Sequence, residues 1–279
     1  MPRQVCAADF LASSARISLG ASLNQKPARD PTRRFSDRVA YYVRYRPGYP
    51  AELIEFLRNE LKLEPSDVVA DVGSGTGKLS ELFLQAGNAV YGIEPNAEMR
   101  AAAEQALRDR PNFHSIAGSA EATGLADASV SIVAAAQAFH WFRIDETRRE
   151  FQRILRPAGW AVLIWNRRIE RTSFLRAYEE LLQRLSLDYA SVDHRRTTAT
   201  GALGDFFGRD DYPRTTFPNR QTLDWDGLRG RSLSSSYVPL PGQPEHEPMM
   251  TELRGVFDEH QTDGVVRIEY ETEVYWSRV

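Results

Sequence analysis

The chain has 279 residues, 42% of them hydrophobic and 26% charged, with a formal net charge of −3 at pH 7. That is ordinary globular composition, long enough for one large domain with a sizeable core, and it excludes the basic domain typical of nucleic-acid binders. A single cysteine, Cys6, excludes an internal disulfide framework and a cysteine-built metal centre, the histidines (His114, His140, His194, His246 and His260) lack zinc-site spacing, and no run approaches the roughly 18 apolar residues of a membrane span.

Residues 1–33 are rich in Arg, Ser and Ala and poor in acids. The expectation is a disordered extension or a start placed upstream of the folded part, with the composition of a transit segment as the alternative. FSDRVAYYVRYR (35–46) predicts a short helix ending before Pro47, and residues 50–63 predict a second, with apolar residues at helical spacing and Pro50 in its first turn. Short apolar runs then alternate with helical stretches. Strands are predicted at 68–72, 89–95, 113–118, 129–138 and 160–166. Helices are predicted at 78–86, stopped by Gly87; at 97–110, capped by Asn96; and at 145–155. A turn is expected at Pro157-Ala158-Gly159. Beyond residue 167 the pattern loosens into a helix (173–186), polar sequence to about 220, a helix at 247–261 and a final strand. Strict alternation implies a parallel sheet covered on both faces, and a last strand without a helix after it implies an antiparallel edge.

The glycine-rich stretch VVADVGSGTGKLS (68–80) is tested by spacing. A triphosphate loop needs GxxxxGK followed by Ser or Thr; Gly77-Lys78 is followed by Leu79, and Val72 stands where the first glycine belongs. A dinucleotide loop needs GxGxxG; the third glycine falls on Lys78 or Ser80. What remains is Asp71, Gly73, Gly75 and Gly77, with Glu94 ending the second strand. Glycine lets a ligand approach the backbone, and a carboxylate at the second strand's end can take both hydroxyls of a ribose. Asp71 would repel a pyrophosphate and welcome an ammonium. The ligand should therefore carry a ribose and an amine, with no phosphate against the loop. S-adenosylmethionine meets these demands.

From about Phe35 onward the chain resembles the class I methyltransferases. DVGSGTG, YGIEPNAEM (91–99) and GSAEATGL (118–125) match three motifs of that family. The third departs from it: Ser119 stands where the family usually has Asp, and Ala120 and Glu121 are expected to share the adenine contact. By the resemblance, Met99 packs on the adenine, and Asp71, Gly73, Ser74, Gly75, Gly77, Glu94, Pro95, Ser119, Gln137, Tyr42 and Arg46 complete the cofactor set. QAFHWF (137–142), YYVRYRPGYP (41–50) and LIWN (163–166) resemble the small-molecule branch, which includes trans-aconitate methyltransferase-like enzymes. The resemblance implies a Rossmann-like three-layer α/β sandwich, with a seven-stranded, mostly parallel sheet whose last strand is antiparallel.

In an open parallel sheet, ligands bind beyond the carboxyl ends of the strands, where QAFHWF is delivered. His140, Trp141 and Gln137 are the expected catalytic residues, with His140 as general base for an alcohol, phenol or amine. A carboxylate acceptor needs no base but does need a cationic clamp, for which Arg46, Arg143 and Arg167 are nearest. Tyr42, Tyr45, Phe139 and Trp141 are expected to wall a sulfonium cation. The expected division is lid helices at 34–64, a cofactor core at 65–166, a substrate cap at 167–220 and a C-terminal helix and strands at 221–279. The expected partner is a small-molecule substrate, with no nucleic acid, membrane or metal, and the chain a cytoplasmic monomer or homodimer. A nicotinamide-dependent oxidoreductase and a noncatalytic adenosylmethionine-binding protein are the rival readings.

Overall fold

The computed structural model describes residues 36–187, 189 and 201–279; the N-terminal stretch 1–33 lies outside them. A 3-10 turn at Ser36–Arg38 leads into α1 (Val39–Tyr45) and then α2 (Glu52–Glu60). The predicted alternation follows as β1 (Val68–Val72), α3 (Lys78–Gln85), β2 (Ala89–Ile93), α4 (Ala97–Ala106), β3 (Phe113–Ile116), β4 (Val130–Ala136), α5 (Ile144–Ile154) and β5 (Leu155–Arg168). Asn96 caps α4 by accepting the Met99 N–H at 2.8 Å. Gly87, at φ 99°, ends α3 in the left-handed conformation open to glycine. The turn expected at Pro157-Ala158-Gly159 is an excursion within β5. Val130 pairs with Leu155 and Ile132 with Trp160, so the intervening residues bulge and Ala158 is driven to φ 68°.

After α6 (Ser173–Leu185) the chain forms α7 (Ala202–Phe207), β6 (Arg214–Leu223), α8 (Trp225–Leu233), α9 (His246–His260) and β7 (Val266–Ser277). The sheet order is β3-β2-β1-β4-β5-β7-β6. β1 to β5 pair in parallel, and β7 runs antiparallel to both β5 and β6. The last strand is antiparallel, as expected, but it is not an edge. Val266, Ile268, Tyr270 and Val274 are all buried, as in an interior strand. β6 takes the edge instead; it alternates exposed and half-buried residues and carries Pro218, which an edge tolerates.

Period-two alternation sends Val69, Val90, Ile132, Ile164 and Val274 to one face, against α2 and α3. Ala70, Val72, Val133, Leu163 and Trp165 go to the other, against α5 and α7. Each large side chain so buried contributes about 1.5–3 kcal/mol. A third cluster joins α6, α8 and α9 to the start of β7 through Tyr178, Leu182, Leu228, Leu253 and Ile268. Of the expected cap at 167–220, then, α6 belongs to this cluster, α7 packs on the sheet against α5, and β6 is the sheet's edge.

Helix α1 crosses α8 at Gly230, where a Cβ would lie 2.2 Å from the Tyr45 ring. The carbonyls at the end of α8 lack helical partners. Arg38 donates to those of Leu233 and Ser235 at 2.9 and 2.8 Å, and Arg46 donates to that of Ser234 at 3.0 Å. The guanidiniums thus cap the negative end of α8 and tie the N-terminal segment to it.

Candidate active site

The carboxyl ends of β1, β4 and β5 open into a cavity of about 150 Å³. Its floor is the glycine loop. Asp71, in β1, is 1% exposed and accepts the Ser80 hydroxyl at 2.7 Å. Burial pushes its carboxyl up to about 7, although hydrogen bonds from Ser80 favour the charged form. Glu94 follows β2. One of its carboxylate oxygens accepts the Gly75 N–H and the other the Asn96 N–H, both at 2.9 Å. Burial raises Glu94 as well, opposed by those two bonds. Each oxygen keeps a lone pair for a further donor.

The three loop glycines do different things. A Cβ on Gly73 would lie 2.5 Å from Ala138, so Gly73 lets the QAFHWF turn close over the loop. A Cβ on Gly77 would lie 2.7 Å from Leu107; this glycine seats α3 against the end of α4 and does not line the cavity. Gly75 has only Met99 nearby, at 3.6 Å from such a Cβ, and it faces the cavity. Thr76 Oγ1 is buried without a hydrogen-bond partner among the described residues.

Gln137 follows β4 at φ 57°, a left-handed conformation that is strained for a residue with a side chain. It is held there by donating its N–H to the Ile164 carbonyl at 2.9 Å. The turn that follows sets His140 and Trp141 on the cavity wall, their rings 4.7 Å apart.

The opposite wall is basic and phenolic. Arg46 follows α1, Arg168 ends β5 and Arg231 lies in α8; with Tyr42, Tyr49, Tyr189, Tyr237 and Tyr270 they line the cavity beside Glu170 and Glu179. Arg168 pairs with Glu179 at 2.8 Å and bonds to the Tyr189 and Tyr237 hydroxyls. Arg231, 4% exposed, donates to Tyr270 and Ser235. Arg46 Nε is buried without a partner, and neither Arg46 nor Arg231 has a carboxylate partner among the described residues. Burial lowers the Arg46 pKa, and repulsion from Arg231 lowers it further.

The structure thus gathers Tyr42, Arg46, Asp71, Gly73, Ser74, Gly75, Gln137, His140 and Trp141 around one cavity. Glu94, Met99, Ser119, Ala120 and Glu121 do not line it. Glu94 and Met99 lie directly against the loop. Ser119 forms a bridge with Ala122, and Glu121 accepts the Arg143 N–H at 2.9 Å. Glu150 fastens that segment by accepting from the Thr123 N–H at 2.8 Å. Ala120 is buried and Pro95 exposed.

Several expectations are corrected. Phe139 is 1% exposed and belongs to the core, and Tyr45 lies on α8; neither walls the cavity. Arg143 is an outward residue paired with Glu146 at 2.6 Å. Arg167 lines the cavity but is neutralised by Glu271 and Glu273. Arg168, Arg231, Tyr49 and Tyr237 were not anticipated. The RR pair at 167–168, directly after LIWN, was a local signal for Arg168, and Tyr49 lies within YYVRYRPGYP; nothing local marks Arg231 or Tyr237.

The family described as a methyltransferase domain matches residues 70–163, from β1 into β5. An uncharacterised methyltransferase-like protein of Schizosaccharomyces pombe is 29% identical over 221 residues, 78% of this chain and 84% of that one. An uncharacterised methyltransferase of Mycobacterium tuberculosis H37Rv is 36% identical over 156 residues, 56% of this chain and 61% of its own length. The fold is shared with a candidate type II methyltransferase from Anaeromyxobacter dehalogenans, at a TM-score of 0.62 and 21% identity, over 84% of this chain and 98% of that one.

Proposed function

We propose that the chain is a class I, S-adenosylmethionine-dependent methyltransferase and that it methylates a small molecule carrying an anionic group, with a carboxylate the best match. One observation carries the second half of that statement. Among the described residues, the wall facing the glycine loop holds Arg46 and Arg231 without carboxylate partners, and Arg46 Nε is buried without any partner. A buried guanidinium is costly unless something completes it, and a carboxylate matches its fork.

The groups at the loop suit the cofactor. Asp71 offers a buried carboxylate to an ammonium, the Glu94 oxygens retain lone pairs for a ribose diol, and Thr76 Oγ1 has unused hydrogen-bonding capacity. When bound, S-adenosylmethionine supplies an electrophilic methyl on a sulfonium. The chain's own part is to align, enclose and tolerate charge. Arg46 and Arg231 would hold the acceptor's anion and fix its orientation, and such alignment can be worth several kcal/mol. Tyr42, Tyr49 and Trp141 would exclude water and turn aromatic faces to a cation. The methyltransferase domain and the absence of GxGxxG disfavour the nicotinamide reading. A single cysteine supports a reducing, cytoplasmic setting.

Two measurements test this. S-adenosylhomocysteine at about a hundred times its Kd should stabilise the protein by roughly 2.7 kcal/mol; no shift in unfolding temperature would sink the cofactor assignment. Benzoate, as an anionic probe, should bind the S-adenosylhomocysteine complex and bind the Arg46→Met variant about tenfold or more weakly, since a charged hydrogen bond is worth about 1.5–3 kcal/mol. Equal benzoate affinity in both proteins, with the cofactor still bound, would reject the anionic acceptor.

A further inference from the structure

Tyr237 is a phenol set among guanidiniums, and the reaction described so far gives it no role. It follows α8 in a tight turn closed by the Val238 N–H on the Ser235 carbonyl at 3.0 Å, and its own carbonyl accepts the Leu187 N–H at 3.0 Å. Its ring meets Tyr189 edge-on at 4.8 Å. Its hydroxyl accepts from Arg168 Nη1 at 3.3 Å. Every element around it contributes a charged or titratable group: Arg46 beyond α1, Arg168 from β5, Tyr178 and Glu179 from α6, Arg231 from α8, Tyr270 from β7, and Tyr189. Arg168 already has Glu179 and Tyr189, so it does not need the Tyr237 hydroxyl to complete it.

We propose that Tyr237 takes the proton from a hydroxyl of the acceptor, so that the atom methylated is that hydroxyl oxygen and not the anion gripped by Arg46 and Arg231. The inference rests on the methyl-transfer reading of the cavity and narrows its acceptor to a hydroxy acid. Burial by itself would raise the phenol's pKa. The positive charges of Arg168, Arg231 and Arg46 outweigh it and bring the group down to about 8, with a Ser235 hydrogen bond acting the same way. A base whose pKa lies near the working pH is the effective kind. His140 is the rival, but it sits on the β4 wall beside Trp141, whereas Tyr237 stands beside the arginines that would hold the acceptor.

The step balances. The hydroxyl proton passes to the Tyr237 phenolate oxygen. The oxygen–methyl bond forms as the methyl–sulfur bond breaks, the electron pair staying on sulfur and cancelling the sulfonium charge. Tyr237 then releases its proton to water at the cavity mouth.

The first test is an ultraviolet difference titration of the ligand-free full chain from about pH 6 to 10, spanning the ordinary phenol range. An ionisation near pH 8 should be present in the wild type and in His140→Gln and absent from Tyr237→Phe. Its survival in Tyr237→Phe would overturn the proposal. The second follows S-adenosylhomocysteine formation with 4-hydroxybenzoate and benzoate as probes. Turnover with the hydroxylated probe only, with Tyr237→Phe lowering kcat about a hundredfold and KM changing little, supports it. Methyl benzoate formed equally by wild type and Tyr237→Phe would overturn it, as would loss of the rise in rate through about pH 8 in His140→Gln instead of Tyr237→Phe. S-adenosylhomocysteine binding, measured calorimetrically on both proteins, separates the layers. Wild type that cannot bind it defeats the cofactor reading beneath; Tyr237→Phe that binds it normally while losing turnover places the defect at the proton.

Discussion

At the glycine loop the cavity is built from one unbroken stretch, Asp71 to Thr76, with Glu94 just behind it. At the far wall Arg46, Arg168, and the pair Arg231 and Tyr237 arrive from three separate segments. The first end is acidic and suits a cation; the second is basic and suits an anion. One is fixed by covalent neighbours, the other only by tertiary packing. A site made by a single turn survives as a pattern in the chain, while a site made by convergence leaves isolated residues that look like surface charges until the fold brings them together.

The largest effect that would break this contrast lies at the first end. Glu94→Ala should weaken S-adenosylhomocysteine at least about a hundredfold by calorimetry, because two or more hydrogen bonds to a carboxylate are lost at about 1.5–3 kcal/mol each. Circular dichroism should show the fold retained, although the Gly75 and Asn96 N–H groups lose their acceptor. Unchanged affinity would mean that the loop does not hold the ligand by its ribose.

Asp71 sharpens the contrast through pH. Its folded pKa, about 7, is raised above the ordinary carboxylate value, so its contribution to stability is fully present below about pH 4 and is lost as pH rises through 7. In the ligand-free protein that loss amounts to at most about 4 kcal/mol. Asp71→Asn should remove this part of the pH dependence from denaturant unfolding. Ligand binding runs the other way: an ammonium needs the ionised form, so affinity should climb about tenfold per pH unit below 7 and then level off. A flat affinity profile from pH 5 to 8 would show that Asp71 does not face the amine.

The smallest effect is at the join between the two ends. Gln137 sits at φ 57°. Gln137→Gly should be more stable than Gln137→Ala by about 1 kcal/mol, since only glycine adopts that backbone without strain. Differential scanning calorimetry should show the glycine variant melting a degree or two higher. A higher melting point for the alanine variant would remove the strain argument.

The same contrast decides what could be read from the chain. β1 to β5 and their helices were legible because apolar runs and capping residues such as Asn96 and Gly87 act over a few positions. β6 was not, because Arg214–Leu223 is an edge strand with no fully buried residue and a proline at its centre. α8 was hidden by Gly227 and Gly230, which read as breakers until Tyr45 is seen to need the space. Asp224, which accepts the Gly227 N–H at 2.8 Å, was the one local sign of its start. Gly77 shows the reverse error: a residue inside a ligand motif whose visible contacts are to α4.

The position of β7 has a consequence for how the protein is made. β6 leaves the ribosome before β7, yet it can join the sheet only through β7. During synthesis it must therefore wait as a strand with two open edges, at the stage when nascent chains most readily pair with the wrong neighbour. Pro218 at its middle and the charges of Arg214 and Arg220 keep such a strand from finding other partners. The residues that made β6 hard to recognise are those that let it wait.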